Sequence, residues 1–102
     1  MVDLTGTWKG DDDSTTYIQQ IAMGSSAKML QWYSIKDSVF SNIFVGTFLT
    51  DVSSIQGNWV DAPPNGLGNQ GTLELSYNPG EDIIFADAAS ENYGTTTWTR
   101  IG

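Results

Sequence analysis

Leu4-Thr5-Gly6-Thr7-Trp8 near the start of the chain and Thr97-Trp98-Thr99-Arg100 near its end decide the fold. Each run alternates small polar with large side chains, the period-two pattern of a strand with one buried face. Gly6, two positions ahead of Trp8, lets the backbone bend where a small barrel turns its corner. Arg100 is the one arginine of the chain. It is placed to lie flat on an indole, a cation–π contact of about 0.5–2 kcal/mol. Gly6, Trp8, Trp98 and Arg100 are therefore expected to close a small barrel whose terminal strands meet.

Working outward from these ends, short β-type runs alternate with turn clusters, as in barrels and sandwiches. The runs are Leu4–Lys9, Thr15–Ala22, Ala27–Ser34, Phe40–Leu49, Ile55–Val60, Thr72–Tyr77, Ile83–Ala86 and Thr95–Ile101. Breakers separate them at 10–14 (GDDDS), 24–26 (GSS), 36–38 (KDS), 78–80 (NPG) and 90–92 (SEN). Leu73, Leu75 and Tyr77 share one face, with Thr72, Glu74 and Ser76 on the other. Ala27–Tyr33 suits helix or strand by propensity. Its shortness and its Trp-Tyr pair favour strand. Gly-Thr-x recurs at Gly6, Gly46, Gly71 and Gly94, with Gly57-Asn58-Trp59 a near relative, and an aromatic two positions after the glycine is expected to fill the interior. Phe40, Phe44 and Phe48 share a face with Asn42 and Gly46, while Ile43, Val45 and Leu49 lie opposite. A strand apolar on both faces is central or covered on its outside. The predicted fold is all-β: a single antiparallel up-and-down barrel of about eight strands over residues 1–102. Closure removes the exposed sheet edges that invite aggregation.

Composition narrows the function. The 102 residues carry 12 acids and 4 bases, a net charge of −8. That argues against nucleic acid, whose phosphates call for Lys and Arg, and against anionic membrane surfaces. No apolar run approaches a membrane span. The amino terminus lacks the pattern of a signal peptide, so a cytoplasmic protein is the default, although a trimmed mature chain would look the same. Cysteine and histidine are both absent. Disulfides and thiol chemistry are excluded, and the commonest general base and transition-metal ligand is missing. An enzyme would need paired carboxylates, and Asp61, Glu74, Glu81, Asp82 and Asp87 show no fixed spacing on one strand face. Asp11-Asp12-Asp13-Ser14 lacks the spacing of a calcium loop and reads as a hairpin turn whose side chains bond their own backbone.

Leu4-Thr5-Gly6-Thr7-Trp8 resembles the first strand of the calycins, the superfamily of lipocalins, fatty-acid-binding proteins and avidins. In lipocalins the Trp of that strand packs near an Arg from the last barrel strand, and the resemblance gives these roles to Trp8 and Arg100. The chain is shorter than a lipocalin, and Thr50-Asp51 lies too early for the Thr-Asp-Tyr motif. Avidins follow their first Trp with an Asn and then a Ser that bind the ligand's ureido group. At that spacing stand Gly10 and Ser14, so only the Ser position matches, and the rest of the chain departs from the avidin pattern. The order GTWKGDD, TYIQQI, NIFVGTF, GNWVDAP, GTLEL, TTWTR also resembles a small domain of bacterial proteins, which implies an intact domain without naming a ligand.

The resulting expectation is a non-enzymatic barrel that binds a small molecule at one mouth, without cofactor, metal or catalytic residues. Trp32, Tyr33, Phe44, Asn58, Trp59 and Asp61 are the candidate binding residues, with the Pro- and Gly-rich stretch 61–71 as rim. Exposed tryptophans among Asn, Asp and Gln are also what a carbohydrate-binding module uses, stacking an apolar face on the sugar ring. A third reading is an interaction or inhibitor module. It would use the outer apolar face of Phe40–Leu49 for a partner or a homodimer.

Overall fold

A computed structural model describes residues 3–22, 27–36, 40–61, 70–89 and 95–102. Eight antiparallel strands follow one another: β1 (Gly6–Gly10), β2 (Thr15–Ala22), β3 (Ala27–Lys36), β4 (Phe40–Leu49), β5 (Ser54–Asp61), β6 (Gln70–Asn78), β7 (Ile83–Ala89) and β8 (Thr97–Arg100). Each pairs with the next, and β8 returns to β1 to close the barrel. The expected all-β up-and-down barrel is the observed fold, and Ala27–Tyr33 is strand. The breakers at 24–26, most of 36–38 and 90–92 lie outside the described residues, as does nearly all of the 61–71 rim.

Alternation along every strand sends one set of side chains inward. Trp8, Ile18, Leu30, Trp32, Phe44, Phe48, Ile55, Trp59, Leu73, Leu75, Tyr77, Ile84 and Trp98 are buried together, with Leu4. Trp8, Phe48, Trp59 and Leu73, each two positions after a glycine, are all inside. At Gly46 and Gly57, paired across β4 and β5, the glycines make room for a ring. A Cβ on Gly57 would come within 2.2 Å of the Val45 carbonyl oxygen and 2.9 Å of Phe44 Cζ. The register of β6 on β7 shifts between Glu74 and Leu75, a bulge of the kind that bends a sheet.

Leu4 lies outside β1 yet is fully buried. The backbone turns at Gly6, whose φ is +149° and where a Cβ would come within 2.7 Å of the Gly102 carbonyl oxygen. Leu4 thereby folds under the barrel and plugs it. Its carbonyl accepts the Trp8 indole N–H at 2.9 Å, and the Gln20 side-chain oxygen accepts its own N–H at 3.0 Å. Trp8 sits opposite Arg100 in the β1–β8 ladder, with the guanidinium carbon 4.5 Å from the ring centroid. The guanidinium donates to Asp82 Oδ2 at 2.7 Å, the Thr5 carbonyl at 2.9 Å and the Asp3 carbonyl at 2.8 Å. This end, which also holds the turns at 50–53 and 79–82, is the floor.

Candidate functional site

The opposite end is built differently. Here the β1–β2 turn meets the loop-side ends of the other six strands. Inward positions that are apolar deeper down become polar: Ile18 gives way to Thr16, Trp32 to Ser34, Phe44 to Asn42 and Trp59 to Asp61. Register aligns these polar residues on four adjacent strands. Thr16 pairs with Ser34, Ser34 with Asn42, and Asn42 with Asp61. Thr16, Ser34 and Asn42 are all buried, and Thr16 Oγ1 and Ser34 Oγ share a hydrogen bond of 2.6 Å.

Beneath this polar level lies an aromatic one. Trp32 packs on Phe44 with ring centroids 4.4 Å apart, and on Trp98 at 5.2 Å. The rings pack in the middle of the barrel, and the buried polar level lies between them and the loop-side end. The Trp32 indole N–H is buried and meets no acceptor among the described residues. A buried donor left without a partner costs about 1–3 kcal/mol.

The β1–β2 turn is tied to the start of β8. Asp12 accepts the Ser14 hydroxyl at 2.6 Å and the Thr95 hydroxyl at 2.8 Å. Asp11 accepts the Thr96 N–H at 2.9 Å and the Thr96 hydroxyl. Burial would raise the Asp11 carboxyl, but these bonds to Thr96 and others from the backbone outweigh it and hold it below the ordinary carboxylate range. The Asp11–Ser14 stretch is thus a turn, as its sequence suggests, and its side chains also reach across the barrel seam. Ser14, the position shared with avidins, is fully buried within this network. Among the described residues, no three acidic side chains converge as a metal site would require. Both lysines at this end are engaged. Lys36 Nζ donates to the Asp12 carbonyl at 2.7 Å, and Lys9 Nζ lies 3.1 Å from the Asp13 carboxylate.

The six candidate binding residues divide between the two faces of the wall. Trp32, Phe44 and Trp59 are inside and almost fully buried, and Asp61 follows them at an inward position. Tyr33 and Asn58 point outward. Asn58 lines a shallow outer groove of about 320 Å³ with Gln56, Thr72 and Glu74. It meets Trp59 in a neighbouring hollow of about 280 Å³, beside Gln70, Gly71 and Thr72. Thr16, Ser34 and Asn42 were not among the expected binding residues. Their signal was available: a polar residue two positions from an inward apolar one, at the same end of three successive strands. No family model, no curated protein and no solved structure matches the chain.

Proposed function

We propose that the protein is a non-enzymatic barrel that binds a small molecule at its loop-side mouth. The observation that carries this reading is the polar level of Thr16, Ser34, Asn42 and Asp61 over the tryptophan layer, with the Trp32 N–H buried and without an acceptor among the described residues. Ligand sites of this kind combine an apolar base with a few placed polar groups. The calycin-like ends of the chain support the same reading, since that superfamily binds small molecules in its barrels. Charge narrows the ligand class. Asp12 and Asp61 stand at this end, and its two lysines are already paired. The ligand is therefore neutral or cationic, with a flat apolar portion to rest on the aromatic layer and polar groups for the hydroxyls and amide.

A thermal-shift screen tests this. Neutral and cationic ring compounds are expected to raise the melting temperature while their carboxylate counterparts do not. A site filled at 100 times Kd adds about 2.7 kcal/mol. Native mass spectrometry should show one ligand per chain, and the Ser34→Ala, Asn42→Ala double variant should lose the shift. A screen without a hit, or a shift indifferent to the double variant, overturns the proposal.

A further inference from the structure

The outer wall of β2 to β5 carries no charged side chain at any outward-facing position, although the chain has 16 charged residues. Lys28, Lys36 and Asp61 are the only charged residues on these strands, and all three occupy inward positions in the alternation; at the edge of the wall Lys36 reaches a hollow that Tyr17 and Ile35 share with the paired Lys9 and Asp13. Across this neutral wall runs one row in strict register: Tyr17 beside Tyr33, Tyr33 beside Ile43, and Ile43 beside Val60. Tyr17, Ile43 and Val60 are 52%, 40% and 43% exposed, and Val45 on the next row is 45% exposed. That next row holds Gln19, Gln31, Val45 and Asn58, again in register.

The geometry points to a homodimer formed by this wall against the same wall of a second copy, independently of any ligand at the mouth. Three observations select a second copy as the occupant. The first is charge. Two chains of net charge −8 repel, and the acidic turns at 11–13 and 81–82 carry much of that charge, so copies approach at least cost through the wall that has none. The second is chemistry. The polar groups flanking the apolar row are amides and hydroxyls, each both donor and acceptor, so the patch complements itself under a two-fold axis. A different partner for so acidic a protein would be steered by charge, and this wall offers none. The third is size. β2 to β5 are half of a closed eight-stranded barrel and form a convex wall, so a second copy meets it along about two strands, about 4.8 Å apart and about eight residues long at about 3.3 Å each, or about 250 Å². Two copies then bury about 500 Å², in the range of weak, transient contacts. The dimer is accordingly a weak one.

Sedimentation velocity over a concentration series, at low and high salt, tests this. A monomer–dimer equilibrium is expected, with more dimer at higher salt because screening relieves the repulsion between acidic copies. Val45→Glu places a like-charge pair in the interface and should weaken the dimer at least tenfold, with an unchanged circular dichroism spectrum. Phe85→Glu, at an exposed position of β7 outside the wall, should leave the equilibrium as it is. Should Val45→Glu perturb the fold, Ile43→Lys replaces it with the same expected loss. A chain that stays monomeric at about 1 mM, or a dimer that survives both wall substitutions, overturns the proposal. So does a dimer lost equally in Phe85→Glu.

Discussion

The two ends of the barrel hold the same kind of residue in opposite circumstances. At the floor, the Trp8 N–H is satisfied by Leu4, its face is covered by Arg100, and every guanidinium nitrogen has an acceptor. Below the mouth, Trp32 is nearly as deeply buried, yet its N–H finds no acceptor among the described residues, and the inward positions nearer the mouth on its own and neighbouring strands are hydroxyls and an amide. An indole with all its needs met is architecture. One left wanting, beneath a polar level, is the position where the proposed ligand would have something to add.

The floor is where substitution should cost most. Arg100→Ala removes the cation–π contact, uncovers Trp8 and leaves the Thr5 and Asp3 carbonyls without their donor. A loss of about 2–4 kcal/mol in denaturant unfolding is expected. A loss within about 0.5 kcal/mol, the norm for surface changes, would erase the distinction between the ends. A matched pair sharpens it further. Trp8→Phe and Trp32→Phe each trim a buried indole, but among the described residues only the first breaks a hydrogen bond. Trp8→Phe should cost about 1 kcal/mol more, and equal costs would remove the special standing of Trp32.

The smallest effect is acidic. The Tyr77 hydroxyl donates to Asp82 at 2.6 Å. This bond, against some burial and with the help of Arg100, holds the Asp82 carboxyl below the ordinary range. The folded state therefore binds protons less readily than the unfolded chain. The stabilisation is complete above the unfolded value of about 4 and is lost as pH falls through the lowered folded value. Asp82 is substantially exposed, so the effect stays below about 1 kcal/mol. Asp82→Asn should flatten stability below about pH 4, and an unchanged acid limb would show that the floor does not depend on this carboxylate.

Much of the floor was legible in the sequence because its parts lie within motifs at the two ends. Trp8 and Arg100 needed only strand alternation and the knowledge that the ends meet. Asp82 was not legible as the partner of Arg100, since its place depends on how the 79–82 turn projects across β8. The mouth was harder. Trp32 and Tyr33, like Asn58 and Trp59, are neighbours in sequence, and alternation alone sends neighbours to opposite faces. Grouping them by composition obscured this. Thr16, Ser34 and Asn42 share a level only because of the register between strands, which the connecting turns set.

Seven of the eight strand pairings join consecutive segments and can form as simple hairpins. The β1–β8 seam cannot, since Arg100 must find the Thr5 carbonyl 95 positions away. Zipping can proceed from β1 through β8 while the sheet stays open, and the ring shuts last. Time therefore enters the role of Arg100. Contacts formed after the transition state govern how fast a protein opens, with little effect on how fast it folds. The arginine under the barrel acts as its latch: losing it should shorten the life of the closed state and leave the refolding rate nearly as it was.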